Sequence, residues 1–309
     1  MLKRKDLLGL IDLTKEELTE LLDVAGEMKA HLKAGEKNLS YLKGKTATIL
    51  FYENSTRTRT SFELAAKYLG ATVVNIAASS SSVAKGETLV DTGKTLDAQL
   101  NDFLIMRHPM GGAPYLLAKT VKAGVLNAGD GMNEHPTQAL LDMLTMKEKF
   151  GKIEGLKVAI LGDIKHSRVA KSNLFGLKTM GAEVKMYAPE TLIPKAMDKL
   201  GATICKSREE ALDGADVVMG LRIQLERQQA GNFPSLNEYA EFYGVNAKML
   251  SLASPNAIVM HPGPVNRGVE LTGKVIDHPQ SRIEEQVFSG IAVRMAALKL
   301  LNDYRNANK

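Results

Sequence analysis

The chain reads as an α/β protein made of two doubly wound parallel-sheet domains joined by crossing helices, and three observations carry that reading. Short apolar, strand-like runs recur along the sequence, each followed by a stretch with helical apolar spacing, which is the pattern of repeated βα units. The rhythm breaks and restarts around Phe150-Gly151-Lys152-Ile153-Glu154-Gly155, dividing the repeats into two halves. A chain of 309 residues, 44% hydrophobic, is also long enough to bury two cores.

In the first half the strand-like runs are 46–53, 72–77, 103–107 and 125–128; in the second they are 157–162, 183–187, 216–221 and 257–261, separated by helices. Strands alternating with helices in this way favour parallel sheets covered on both faces. Pro136 opens a helix expected over 137–149, the first crossing between the halves, and the spacing over 283–301 predicts a closing helix that returns to the first domain. The expected division is therefore 1–148 for the first domain, with a C-terminal helix of about 285–309 packing back on it, and 149–284 for the second.

Composition narrows the partners. The net charge is +5 with a pI of about 9.0, but the lysines are scattered and acidic residues interleave with them, which points to acidic small molecules rather than nucleic acid. Cys205 is the single cysteine, so there is no internal disulfide and no cysteine-based metal cluster, as expected of a protein of the cytoplasm. No apolar run reaches membrane-spanning length, and Met1-Leu2-Lys3-Arg4-Lys5-Asp6-Leu7-Leu8 lacks the features of a signal peptide, so no membrane partner is expected.

The most informative stretch is Glu53-Asn54-Ser55-Thr56-Arg57-Thr58-Arg59-Thr60-Ser61, which follows the apolar Ala47-Thr48-Ile49-Leu50-Phe51 and precedes a helical pattern at Phe62, Leu64, Ala65 and Leu69. It places hydroxyls, backbone N–H groups and guanidinium donors at one helix start, where the helix dipole already favours an anion of phosphate size. Next comes Ser79-Ser80-Ser81-Ser82-Val83-Ala84-Lys85-Gly86-Glu87-Thr88, whose serines read either as a solvated linker or as a lid delivering the Lys85 ammonium to an anion. Met106-Arg107-His108-Pro109 ends the third strand, and Gly129-Asp130-Gly131-Met132-Asn133-Glu134-His135-Pro136-Thr137-Gln138 follows the fourth. Ligands of parallel α/β sheets lie beyond the carboxyl ends of the strands, so Arg57, Arg107, His135 and Gln138 converge on one crevice in this reading. A helix start favours the neutral imidazole of His135, and thus a hydrogen-bond donor.

In the second half, Leu161-Gly162-Asp163-Ile164-Lys165-His166-Ser167-Arg168 occupies the place of a dinucleotide fingerprint without its glycines, and no Gly-Lys-Ser/Thr phosphate loop occurs, so no nicotinamide cofactor or nucleoside triphosphate is indicated. Arg168, with Arg222 and Gln224 just past a strand, supplies planar forks suited to carboxylates. His261-Pro262-Gly263-Pro264 closes the set as a rigid turn whose carbonyls can face a ligand amine or amide. Taken singly, these are ordinary caps, turns and surface cations; their shared strand-end position favours binding.

Together, Ser55-Thr56-Arg57-Thr58-Arg59, Ser82-Val83-Ala84-Lys85-Gly86-Glu87, His135-Pro136-Thr137-Gln138, Arg222-Ile223-Gln224-Leu225-Glu226-Arg227 and His261-Pro262-Gly263-Pro264 resemble the aspartate/ornithine carbamoyltransferase family over the whole length. The later motifs resemble its aspartate-using members: the Ser-Met-Gly loop and His-Cys-Leu-Pro motif expected of the ornithine branch are missing. The resemblance implies carbamoyl transfer from carbamoyl phosphate to L-aspartate in pyrimidine biosynthesis, without cofactor or metal. It assigns Ser55, Thr56, Arg57, Thr58, Ser81, Arg107, His135, Gln138, Gly263 and Pro264 to carbamoyl phosphate, and Lys85, Arg168, Arg222 and Gln224 to aspartate. Arg57, Thr58, Lys85, Arg107 and His135 take the catalytic roles, and Ser82 competes with Ser81 for the loop contact. It further implies a homotrimer in which Lys85 and its serine complete a neighbour's site, and a closed form in which Glu53 pairs with Arg168 and Arg227. Association with regulatory chains or a dihydroorotase stays open.

Overall fold

A computed structural model describes residues 2–77, 86–224 and 235–308. The chain forms two compact units, Met1–Leu144 with Phe288–Lys309, and Thr145–Val287.

The first unit begins with α1 (Lys15–Lys33), whose Thr14 N-cap and Glu17 form a reciprocal capping box. There follow β1 (Thr46–Phe51), α2 (Thr56–Tyr68), β2 (Thr72–Ala77), α3 (Leu89–Ala98), β3 (Phe103–His108), α4 (Ala113–Ala118), β4 (Gly124–Asp130) and α5 (Pro136–Phe150). The four strands are parallel in the order β2-β1-β3-β4. Every residue of β4 is buried, as is β1 from Ala47 to Phe51, which is why these strands read as continuous rather than alternating apolar runs. Leu50, Leu104, Met106 and Val125 from the sheet pack with Leu96 and Leu117 from the flanking helices.

The second unit contains β5 (Lys157–Gly162), α6 (Arg168–Thr179), β6 (Glu183–Tyr187), β7 (Thr203–Ile204), α7 (Arg208–Leu212), β8 (Val217–Leu221), α8 (Leu236–Tyr243), α9 (Ala247–Leu250), β9 (Ile258–Met260) and α10 (Gly273–Ile276). Its sheet is parallel in the order β7-β6-β5-β8-β9. The sequence rhythm gives four strands here, and the structure adds a fifth. β7 is two residues long, too short to show a period, and joins through Lys185↔Thr203 and Met186↔Ile204. The connection from β6 to β7 is also not an α-helix. Pro189 and Pro194 limit it to single 3₁₀ turns at Glu190–Leu192 and Asp198–Leu200.

The last helix, α11 (Ile283–Ala307), is continuous through the second unit boundary, as α5 is through the first. The divisions fall after Leu144 and Val287, and no linker composition marks them because helical spacing runs through both.

Gly162 ends β5 with φ +131°, and a Cβ there would stand 2.3 Å from the Leu221 carbonyl oxygen and 2.9 Å from the Leu221 Cβ. Gly162→Ala combines backbone strain with overpacking between β5 and β8. It is expected to lower the unfolding free energy by about 2–4 kcal/mol in urea titrations; an unshifted midpoint would contradict this account of the turn.

Candidate active site

In the first sheet the strand order reverses between β1 and β3, and a parallel sheet opens its binding crevice at such a switch point, beyond the carboxyl ends of the strands. Ser55 to Thr58 follow β1 at this point, and Arg107 lies near the end of β3. Ser55 is the N-cap of α2, extended at φ −161°, and its side chain makes no capping bond, so the first-turn N–H groups of α2 are not closed off by it. Thr56 and Arg57 are exposed and Thr58 is buried. The guanidinium of Arg59 turns back over the Phe51 ring, 5.4 Å from its centroid, and so packs on β1.

Arg107 is the penultimate residue of β3, beside this turn, its register partner on β1 being Phe51. Its Nε lies 3.1 Å from Glu53 Oε2, and its Nη1 donates to the Ala128 carbonyl of β4 at 3.4 Å. The side chain is thereby held at both neighbouring strand ends. His108 follows, tilted against the Tyr52 ring at 4.7 Å between centroids, with Nδ1 accepting the Met110 N–H at 3.0 Å. Desolvation depresses its pKa below the usual 6.5.

The fourth strand end is organised by Asp130, a residue the motif reading passed over. Its fully buried carboxylate accepts from Asn127 Nδ2 and the Glu134 N–H on one oxygen, at 2.8 and 3.0 Å, and from the Gly112 N–H and Asn133 Nδ2 on the other, at 2.7 and 3.0 Å. That clasp fixes the turn leading to His135, whose carbonyl accepts the first helical bonds of α5 from Gln138 and Ala139. His135 is 4% exposed and Gln138 9%. The Gln138 amide donates from Nε2 to Asp142 at 3.0 Å, which leaves Oε1 as the acceptor for a ligand N–H. An aspartate ending a strand before Gly131, with Asn127 three residues earlier, is the signal that points to this clasp.

In the second sheet the order reverses between β5 and β8. Arg168 begins α6 behind the Ser167 N-cap and is 4% exposed; Arg222 and Gln224 follow β8 and are half-buried. Asp163, fully buried, joins the two exits: it accepts from His166 Nδ1 at 2.9 Å and from the Gln224 backbone N–H at 3.3 Å. The turn containing Gly263 and Pro264 has a cis peptide between them. His261 Nδ1 accepts the Gly263 N–H at 2.8 Å, so its proton is on Nε2, which donates to Glu270 at 3.1 Å. Glu270 also accepts the Asn266 N–H at 2.7 Å. Both members of that pair are buried.

Within the first unit, then, the structure brings together Ser55, Thr56, Arg57, Thr58, Arg107, His135 and Gln138, and within the second Arg168, Arg222 and Gln224. Ser81, Ser82, Lys85 and Arg227 lie outside the described residues. Glu53, expected to pair with Arg168 and Arg227 on closure, has Arg107 as a partner within its own unit.

Residues 5–148 match the family model for the carbamoyl-P binding domain of aspartate/ornithine carbamoyltransferases, and residues 154–301 match the model for the Asp/Orn binding domain. The aspartate carbamoyltransferase catalytic subunit of Ruminiclostridium cellulolyticum is 61% identical over 97% of this chain and 96% of its own length. That of Acetivibrio thermocellus is 60% identical with the same coverage. Among solved structures, aspartate transcarbamoylase from Trypanosoma cruzi in complex with carbamoyl phosphate superposes with a TM-score of 0.86 at 34% identity, covering 96% of each chain. Ornithine carbamoyltransferase from Thermus thermophilus gives 0.85 at 29% identity, covering 96% of this chain and 99% of that one. The fold alone therefore does not separate the two acceptors.

The environment of His108 also yields a pH prediction. Its folded pKa is depressed, so between that value and 6.5 the unfolded chain binds more protons than the folded one, and the contribution of the neutral ring to stability is complete above 6.5 and lost as pH falls through it. Replacing His108 with Gln should therefore flatten the acid-side fall in unfolding free energy between pH 7 and 5. Parallel pH profiles for the two proteins would contradict the assignment.

Proposed function

The chain belongs to the aspartate/ornithine carbamoyltransferase family, and we propose that it transfers the carbamoyl group of carbamoyl phosphate to the amine of L-aspartate. The products are N-carbamoyl-L-aspartate and phosphate, and the step belongs to de novo pyrimidine biosynthesis. The observation that carries the chemistry is the pairing of two helix starts with Arg107 at the switch point of one parallel sheet. The choice of aspartate is carried by identity of 55–61% to aspartate-using relatives over nearly the whole chain, and is supported by Arg222 and Gln224, cationic and polar where an ornithine side chain would call for an acid.

In this reading the phosphate lies against the first turn of α2, with Ser55, Thr56, Arg57 and Thr58 as donors, and Arg107 and His135 donate to oxygens that gain negative charge. The amine nitrogen of aspartate attacks the carbamoyl carbon, a tetrahedral intermediate forms, and its collapse breaks the bond to the phosphate oxygen. No protein nucleophile takes part; the departing phosphate accepts the amine proton. One oxyanion donor is typically worth about 3 kcal/mol of transition-state stabilisation, and orientation of the two reactants about 7–11 kcal/mol. Gln138 Oε1 accepts from the carbamoyl NH₂, and Gly263 and Pro264 contribute backbone at the same end. Arg168, Arg222 and Gln224 hold the two carboxylates of aspartate. Lys85 and Ser81 complete the site from a neighbouring subunit of a homotrimer by the family resemblance. The cytoplasm is the location that fits a single cysteine and relatives that are catalytic subunits of a biosynthetic enzyme.

Two substitutions separate the halves of the site. Arg57→Ala removes an exposed donor, so the melting temperature should stay within a few degrees while kcat falls by about 10²–10³-fold. Near-normal turnover would refute the phosphate assignment. Arg222→Ala should raise the KM for aspartate by about 10–100-fold, the equivalent of one charge-assisted bond, and leave the KM for carbamoyl phosphate within twofold. Equal changes in both constants would remove Arg222 from the acceptor site.

A further inference from the structure

Arg294, on α11, is a buried cation that the reaction described above does not use. It is 3% exposed. Its Nη1 donates to Ser61 Oγ at 2.8 Å and to the Gly290 carbonyl at 2.9 Å, and its guanidinium carbon stands 4.9 Å from the Phe62 ring centroid. Its charge interacts with Asp142, a fully buried carboxylate that in turn accepts the Gln138 amide at 3.0 Å.

The spacing of these contacts is regular. On α2, Ser61 and Phe62 lie four residues after Arg57 and Thr58; on α5, Asp142 lies four residues after Gln138. Four residues is about one turn, or ~6 Å along a helix axis, so each pair shares one helix face. On α2 the first turn therefore faces the anion site and the second turn holds the guanidinium through Ser61 and Phe62, while on α5 the second turn carries Asp142, whose charge acts on that guanidinium through space. A Cβ at Gly290 would come within 2.5 Å of Arg294 Nη1, so the missing side chain there is what admits the cation.

Retaining this charge is costly. Burial pulls the Arg294 pKa down to about 10, and an unbranched apolar side chain of similar length fills such a place without that penalty. A cation kept at a cost where packing alone would serve suits a role in geometry rather than stability.

We propose that Arg294 is a positioning residue for carbamoyl phosphate, tying α2 through Ser61 and α5 through Asp142 so that Arg57, Thr58 and Gln138 keep one spacing around the ligand. The proposal rests on the reading of those residues as the carbamoyl phosphate site. Asp142 is its relay: a carboxylate only accepts, so it takes the amino side of Gln138 and fixes which end of the amide faces the ligand.

The test is steady-state kinetics of the full-length wild type, Arg294→Met, Arg294→Lys and Asp142→Asn, varying each substrate with the other saturating. Arg294→Met is expected to raise the KM for carbamoyl phosphate at least tenfold while the KM for aspartate stays within twofold, and Arg294→Lys, which keeps the charge, to recover part of the loss. A folded Arg294→Met protein with an unchanged carbamoyl phosphate KM, or with both KM values raised equally, overturns the proposal. Should Arg294→Met not fold, Asp142→Asn, equal in shape and without the charge, is expected to give the same selective rise, and wild-type constants there overturn it. A wild type without turnover on aspartate would sink the proposed function itself, whereas an active wild type beside an unaffected Arg294→Met would sink only the role of Arg294.

Discussion

Parallel pairing of β1 with β3 sets Phe51 beside Arg107 and carries Tyr52 N–H onto the Arg107 carbonyl at 2.8 Å. Two chain segments more than fifty residues apart thus leave the sheet at one point, and the turn into α2 meets the guanidinium near the end of β3. β4 enters on the other side of β3 and delivers α5 to the same edge. β3 is buried from Phe103 to Met106 and only half-buried at Arg107 and His108, so Arg107 stands where the strand leaves the core. The placement of donors for an anion is in this sense a consequence of the core.

Three buried carboxylates then stiffen the loops that leave the strands. Asp130 gathers N–H donors around the approach to His135, Asp163 ties the exit of β5 to that of β8, and Glu270 holds the turn after β9 through His261 and Asn266. Each accepts backbone N–H groups that would otherwise be costly to bury, and each sits next to residues read as binding groups. An ionised carboxylate accepts several N–H bonds at once, which suits it to cross-linking turns that must not move when a charged ligand arrives. Arg294 has the complementary role behind α2 and α5, with a cation as the common partner.

The strands and the long helices are legible in the sequence because their periods extend over several residues, and the α2 turn because hydroxyls and arginines cluster in Ser55-Thr56-Arg57-Thr58-Arg59. β7 is not legible, since two residues carry no period. The direction of Arg59 is also hidden: at alternate positions Arg57 and Arg59 look equivalent as text, but helical geometry turns the second back over Phe51. Asp130, Asp163 and Glu270 escape a motif reading for another reason. About half of their donors are backbone N–H groups, which every residue except proline has, so side chains announce them only in part, as Asn127 does for Asp130. The break in rhythm around residues 150–155 marks the change of unit only approximately, because the boundaries themselves fall inside continuous helices.

Which amine is carbamoylated distinguishes the two branches of the family. Purified protein supplied with carbamoyl phosphate and either L-aspartate or L-ornithine, with product and phosphate both followed, decides it most directly. Turnover with aspartate, one phosphate per carbamoylated product, and none with ornithine is the predicted result. Turnover with ornithine, or silence with aspartate, would contradict it.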